Sequence, residues 1–304
     1  MVSLLICTHN RCESLKDILA SLAGQKTDKD FDFEILVVDN ASTDETKVAV
    51  EFFRGRFNSR LRYLYEPQKG KPHAMNLGIK EAQGDIIAFT DDDCLIEDEE
   101  FLSKIAKTFR EQGSAIGFIG GKILPKWLGG PAPEWVTQSF MGPLALLDYG
   151  SQPFILDKNL AEFKRKLFYG ANFAFRKELL LKYGGFKVDK TLAQDTDICL
   201  RLVHSGEKGL YAPDIRVLHK VPAQRLTSKY FYEWFYKRGI YRDDDEKYTP
   251  KFYHPFGVPF WLVRQTLQFY FKSLFSSQLA DRIHYRCWAY FNLGRMMKLA
   301  KGTS

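Results

Sequence analysis

Three consecutive carboxylates, Asp91-Asp92-Asp93, stand directly after the apolar run Ile86-Ile87-Ala88-Phe89. Adjacent carboxylates repel one another, and the end of a strand is a costly place for them unless a cation compensates. In an extended segment alternate residues share a side, so Asp91 and Asp93 would face one ion together. Oxygen ligands at that spacing suit Mg²⁺ or Mn²⁺ bridging phosphate oxygens. The bland alternative is a solvated acidic loop capping a helix that begins near Glu97. Two further polar rims follow apolar runs: Thr8-His9-Asn10-Arg11 after Val2 to Cys7, and Asp39-Asn40-Ala41-Ser42 after Glu34 to Val38.

The elements that must position these groups alternate in type. Val2 to Cys7, Glu34 to Val38, Leu61 to Tyr65 and Asp85 to Thr90 read as strands. Arg11 to Leu22 carries Leu15, Ile18, Leu19 and Leu22 at helical spacing. Ser42 is read as opening a second helix, with Glu45 completing a capping box, and Pro72 to Ala82 is the third. The βαβαβαβ order predicts a mainly parallel sheet covered on both faces, whose ligands bind outside the carboxyl ends of the strands. All three polar rims belong to that one edge. Beyond Gly120 comes a Pro-, Gly- and Trp-rich connection, Pro125 to Asp157, long enough for a functional loop or an inserted subsite. Gly170 to Arg176 and Leu210 to His219 read as β segments, Gln194 to His204 and Ser228 to Lys237 as helices. The acidic patch Asp243-Asp244-Asp245-Glu246 marks the expected boundary between residues 1–245 and 246–304.

Bulk properties remove several classes. A chain of 304 residues, 45% hydrophobic and 27% charged, is neither disordered nor collagenous nor a coiled coil. The longest stretch without Asp, Glu, Lys or Arg, Trp135 to Leu147, is shorter than the roughly 18 apolar residues of a spanning helix. The apolar start lacks the basic segment of a secretion signal, and five scattered cysteines without a CxxC pair suit a reducing cytosol. A net charge of +7 with 15% aromatics admits nucleic acid, an anionic membrane or a phosphorylated substrate as partner. Residues 246–304 hold nine Lys or Arg against two acids, which leaves the first 245 residues neutral overall. The basicity therefore belongs to the tail.

Over residues 1–240 the chain resembles a family 2 glycosyltransferase of the GT-A fold. The motifs that carry the resemblance are Val2 to Arg11, Glu34 to Thr46 (EILVVDNASTDET), and Gly70-Lys71 with Ala74, Asn76 and Gly78. Phe89 to Asp93 is similar to the family's DxD motif, Gly170 to Arg176 and Gly184-Gly185-Phe186 to its acceptor-side motifs, and Gln194 to Leu200 to the segment bearing its catalytic base. Cys7 and His9 stand where relatives often have proline and an aromatic, Met75 where many have arginine, and Gln194 where the family has glutamate.

The resemblance implies a Rossmann-like α/β fold with a nucleotide-sugar half at 1–120, an acceptor half at 121–245 and a C-terminal helical extension. It assigns donor binding to Thr8, Asn10, Arg11, Asp39, Lys71, Asp91 and Asp92. Asp39 would bind the base or ribose, and it also suits an Asx turn. Lys71, beside free N–H groups at a helix entrance, would hold phosphate oxygens. Asp91, Asp93 and His219 would hold Mn²⁺ or Mg²⁺, and Asp195, ahead of Asp197, would be the base of an inverting single displacement. The implied partners are a nucleotide-diphosphate sugar, with UDP the expected carrier, and a saccharide or lipid-linked acceptor of cell-surface glycoconjugate synthesis.

Two other classes compete. A nucleotidyltransferase would need a glycine-rich, arginine-containing first loop, which Thr8 to Glu13 lacks. A nucleic-acid-binding protein would leave the three adjacent acids unexplained, so no nucleic acid is expected. In the tail, Phe260, Val263, Leu267, Tyr270 or Phe271, and Leu274 recur at helical spacing, and Asp281 to Leu299 mixes aromatics with basic residues. Peripheral membrane contact through 256–300, packing on the catalytic domain and packing on a second subunit stay open as readings of it. The expected location is the cytoplasm, with the inner face of its membrane as the place of work.

Overall fold

The computed structural model describes residues 1–26, 31–189, 193–241 and 257–301. Its first elements are β1 (Val2–Thr8), α1 (Cys12–Leu22), β2 (Phe33–Asp39), α2 (Thr46–Arg54), β3 (Leu61–Tyr65), α3 (Lys71–Glu81) and β4 (Ile86–Asp91). Strands β3, β2, β1 and β4 lie side by side and parallel, with Thr8 opposite Asp39 and Cys7 opposite Asp91. Helices cover both faces of such a sheet, so the strands read as unbroken apolar runs rather than alternating ones. All seven residues of β2 are buried. The exception in type, Glu34, is satisfied there: it accepts from Ser3 Oγ at 2.6 Å, Gln83 N at 2.5 Å and Arg62 Nη1 at 2.7 Å. On α1 the buried residues are Cys12, Leu15, Ile18, Leu19 and Leu22, the stripe that the spacing predicts. Gly78 lets α3 lie directly on β1, because a Cβ there would come within 2.3 Å of Leu5 Cδ2.

Beyond β4 the sheet changes direction. A short β5 (Cys94–Leu95) precedes α4 (Phe101–Gln112), followed by β6 (Phe118–Leu128), β7 (Phe154–Leu156), β8 (Phe173–Arg176), α5 (Lys177–Lys182), α6 (Gln194–His204) and β9 (Gly209–Pro222). Strand β8 pairs antiparallel with β4 and β6, and the order runs β3-β2-β1-β4-β8-β6-β9-β5, with β7 also on β9. Phe89, Phe173, Phe175 and Phe186 meet edge to face around the β4–β8 junction.

Two local expectations are corrected. Helix α2 begins at Thr46, not Ser42, because the side chains meant for a capping box are used otherwise. Ser42 N donates to Asp39 Oδ1 at 2.8 Å, and Ser42 Oγ accepts from Asn10 N at 2.9 Å. Asp44 takes the capping work, accepting from Thr46 N at 3.1 Å and from Cys12 N at 2.9 Å, so one carboxylate ties down the starts of α2 and α1. The helix expected near Glu97 begins at Phe101, because Cys94 and Leu95 are drawn into strand pairing with His219 and Leu218.

The chain divides into two compact units: Met1–Lys126 with Ala145–Lys220, and Trp127–Leu144 with Val221–Ser304. The boundary expected at Asp243 to Glu246 lies outside the described residues. The second unit holds α7 (Ser228–Ile240), α8 (Phe260–Phe275) and α9 (Leu279–Lys301). Helices α7 and α9 touch backbone to backbone: a Cβ on Gly239 or Gly294 would come within 2.1 Å of the carbonyl of Phe291 or Tyr236. Among the described residues no helix is long and apolar enough to cross a membrane.

Candidate active site

The acidic run closes β4, but the chain turns at Asp92-Asp93, so the strand-like alternation expected to align Asp91 with Asp93 does not continue through it. Each carboxylate is instead paired with a cation of the chain. Asp91 pairs with Lys71 Nζ. Asp92, 5% exposed, accepts from Thr8 Oγ1 at 2.8 Å and Arg11 Nη1 at 2.9 Å. Asp93 takes a second bond from Arg11 Nη1 at 3.0 Å and has His219 Nε2 3.3 Å from its Oδ1. Burial, with Asp93 alongside, raises the Asp92 pKa in spite of Arg11. The counter-charge that three adjacent acids require is thus supplied from within the chain by Arg11 and Lys71.

Lys71 is the first residue of α3, and its approach is built by Asn40. Asn40 Oδ1 accepts from Gly70 N at 2.7 Å, while its Nδ2 donates to the carbonyls of Gln68 at 2.7 Å and Glu66 at 3.3 Å. Gly70 has φ +133°, a conformation open to glycine, which swings the chain into the helix. Burial opposes the Lys71 ammonium, but Asp91, then Cys7 and Asp195, outweigh it and hold its pKa above the ordinary value. Lys71 stays charged. Cys7, whose strand position faces Asp91 and Lys71, has its thiol pushed up to about 12 by burial.

Asp39 is 3% exposed at the end of β2. Its Oδ1 takes Ser42 N, three residues on and not the two of the expected Asx turn, and its Oδ2 accepts from Tyr63 OH at 2.6 Å. Asn10 adopts φ 53°, and its Oδ1 accepts from Thr43 N at 2.7 Å. Asn10 therefore joins the β1 loop to the β2 loop through Ser42 and Thr43, Asp39 ties its own loop to Tyr63 of β3, and Thr8 holds the acidic turn.

Asp195 is the second residue of α6, where the helix dipole favours a carboxylate. Its Oδ2 accepts from Gly170 N at 3.2 Å and its Oδ1 from Thr196 N at 2.8 Å. Burial nevertheless raises its pKa; the two N–H groups and Lys71 pull the other way, and Asp91 adds to the rise. Asp195, Lys71 and Asp91 thus act on one another across one site although they come from α6, α3 and β4. Asp197 has a different task. It accepts from Arg201 Nε at 2.8 Å, and Arg201 donates to the carbonyls of Tyr183 at 2.6 Å and Gly185 at 2.5 Å. The same turn is gripped by Asn76, which donates to Phe186 O at 2.8 Å and accepts from Phe186 N at 2.9 Å. The Gly184-Gly185-Phe186 and Asn76 motifs are two halves of one clamp.

His219 is buried opposite Cys94 on β9, and its Nδ1 has no hydrogen-bond partner. Carboxylates and an imidazole fit Mn²⁺ or Mg²⁺ in donor type, although the nitrogen beside Asp93 is Nε2 and not the orphaned Nδ1. Among the described residues, however, no three such side chains stand together within reach of one ion. The sequence reading missed Tyr63, Asn40, Asp44 and Arg201, all acting through backbone or carboxylate contacts between segments far apart in the chain. Asn40 and Asp44 had a visible signal, their places in the second polar rim and in the Glu34 to Thr46 motif.

The family model for glycosyl transferase family 2 matches residues 3–184. The glucosyl-dolichyl phosphate glucuronosyltransferase of Haloferax volcanii is 24% identical over 252 residues, 78% of this chain and 76% of that protein. Glycosyltransferase AglE of the same organism is 30% identical over 122 residues, 40% of this chain and 39% of its own length. Among solved structures, the mannosyltransferase PcManGT from Pyrobaculum calidifontis, in complex with GDP-Man and Mn²⁺, superposes with TM-score 0.58 at 19% identity, covering 100% of this chain and 75% of that one. Staphylococcus aureus TarS with UDP-GlcNAc gives TM-score 0.56 at 20% identity, over 99% of this chain and 91% of that one. A matched sequence family, the sheet order and these neighbours agree: the chain belongs to glycosyl transferase family 2 and is a glycosyltransferase of the GT-A fold.

Proposed function

We propose that this glycosyltransferase moves a sugar from a nucleotide diphosphate, UDP in the first instance, to a hydroxyl of a saccharide or lipid-linked acceptor, with inversion at the anomeric carbon. The observation that carries this reading is the convergence of Asp195, Lys71 and Asp91 at the carboxyl edge of the sheet, with Asp195 raised by burial above the ordinary carboxylate pKa. A carboxylate so raised is a stronger base than a solvated one.

In the proposed step the acceptor hydroxyl gives its proton to Asp195 as its oxygen attacks the anomeric carbon. The bond from that carbon to the diphosphate oxygen breaks, and its electron pair leaves with the nucleoside diphosphate. Lys71 neutralises the growing charge on the diphosphate, and Arg11 holds Asp92 and Asp93 in place beneath it. Mn²⁺ or Mg²⁺ would supply Lewis-acid stabilisation of the leaving group when bound; Asp91, Asp93 and His219 have the donor types for it and would have to draw together to hold one ion. Asp39, with Thr8 and Asn10, would receive the nucleoside; a carboxylate already accepting two bonds keeps lone pairs for a third. The names of the Haloferax relative, a glucosyl-dolichyl phosphate glucuronosyltransferase, and of TarS with UDP-GlcNAc support the acceptor and donor classes. Work at the inner face of the cytoplasmic membrane in glycoconjugate synthesis follows from that acceptor class. Proton NMR of freshly formed product tests the stereochemistry: an anomeric coupling opposite in configuration to the donor is expected, and retention would overturn the single displacement.

A further inference from the structure

Helix α8 carries a large apolar face that it does not use for packing. The side it turns inward carries Leu262, Thr266 and Ser273, and Gln265 Oε1 accepts from Asn292 Nδ2 of α9 at 3.1 Å. Its outer side carries Phe260, Leu267, Phe271, Leu274 and Phe275, between 47% and 82% exposed. At the 3.6-residue period those five side chains fall within an arc of about 100°, opposite Leu262, Thr266 and Ser273. Inward, Leu262 is fully buried and Phe269 meets Tyr285 and Trp288 of α9, so the outward arc is a second apolar face beyond the packed one, of the kind that lipid tails receive and water rejects.

Crossing the bilayer is not the arrangement that fits. Helix α8 has 16 residues, about 24 Å at 1.5 Å each, and carries Arg264 in the middle of its apolar arc. Such a helix lies along the interface with its apolar side down and its basic side chains snorkelling to headgroups. Charge complementarity names the surface. Residues 246–304 carry nine Lys or Arg against two acids, and Arg264, Lys272 and Arg282 are all exposed near the arc. We propose that the outer face of α8 docks the chain onto an anionic lipid bilayer. The inference stands independently of the sugar-transfer step.

The test uses the full chain and vesicles of phosphatidylcholine, alone or with about 30% phosphatidylglycerol, in a co-sedimentation titration. Wild type is expected to bind the anionic vesicles and to bind neutral ones more weakly. Replacing Phe271 and Phe275 by serine should cut the partition coefficient at least about a hundredfold, tenfold or more per phenylalanine. Arg264→Gln with Lys272→Gln should weaken binding to anionic vesicles alone. Donor hydrolysis by these variants should match wild type, which separates failure of this inference from failure of the catalytic reading. As a measurement needing no variant, hydrogen exchange across 260–275 in wild type should slow when anionic vesicles are added. No binding of wild type to anionic vesicles, a serine variant that binds as wild type does, or a dimer that the serine variant splits while vesicles are ignored would each overturn the proposal.

Discussion

Asp195 and Asp197 lie two residues apart on one helix, yet the structure gives them opposite duties, and replacing each by asparagine should separate catalysis from stability. Asp195 accepts from two backbone N–H groups, one on each oxygen. Asparagine keeps one acceptor and turns an NH₂ towards the other donor, which costs about 1–3 kcal/mol. Neutralising a carboxylate whose pKa burial has raised returns part of that, so the net loss of stability should be small, about 1 kcal/mol. Removing a general base costs about 10²–10⁴ in rate, or roughly 3–5 kcal/mol of barrier. Asp197→Asn loses the charge opposite Arg201, which keeps its bonds to Tyr183 O and Gly185 O. About 2 kcal/mol of stability should go, less than the 3–5 kcal/mol of a fully buried pair, with kcat changed only a few-fold. Initial rates of nucleoside diphosphate release and thermal unfolding, measured on both variants, give the two axes.

The pH profile adds a second axis to the same pair. A base works only when deprotonated, so the wild-type rate should fall with falling pH through the Asp195 pKa, at a point above the ordinary 3.8. Lys71 holds that pKa down, so Lys71→Ala should move the acid limb to still higher pH. An Asp195→Asn enzyme keeping more than about a tenth of wild-type kcat, or an Asp197→Asn enzyme that is stable but inactive, would refute the assignment.

Three further outcomes follow from the packing. Asn76→Ala strips both hydrogen bonds from the Phe186 backbone and should lower stability by about 2–3 kcal/mol, read as a fall in denaturation midpoint. Gly78→Ala forces a Cβ to 2.3 Å from Leu5 Cδ2; the overpacking of about 1–3 kcal/mol should exceed the gain in helix propensity and lower Tm. The thiol pKa values of all five cysteines lie above the ordinary value, Cys7 and Cys287 at about 12, with burial the main cause for each. Native protein at pH 8 should therefore react slowly with a chromogenic disulfide, and denatured protein should release five thiols at once.

The parallel half of the sheet was legible because its signals are local: apolar runs in β1, β2 and β4, the Leu15–Leu22 stripe on α1, and polar rims after each strand. What the sequence concealed depends on distant partners. Nothing near Asp92 announces that Arg11, 81 positions away, will neutralise it, so the acids read as demanding a metal. Asp44 looks like one more turn residue beside Ser42, although it reaches Cys12 and takes the capping work that Ser42 and Glu45 were expected to share. Strand β5 is two residues long and exists only because β9 is there to receive it. On α8 the spacing found most of the apolar arc, with Val263 in it and Phe275 left out, but periodicity has no sense of direction: it cannot say that the arc points out and that Thr266 and Ser273 point in.

The central claim is that the edge formed by Asp195, Lys71 and Asp91 transfers a sugar from a nucleotide diphosphate. A donor panel of UDP-, GDP- and other nucleotide sugars, run with Mn²⁺ or Mg²⁺ and with saccharide and lipid-linked acceptors, tests it by following release of nucleoside diphosphate. The account predicts release from at least one donor, stimulated by an acceptor and lost in Asp195→Asn. Absence of nucleoside diphosphate with every donor and acceptor, or release of pyrophosphate in its place, would contradict it.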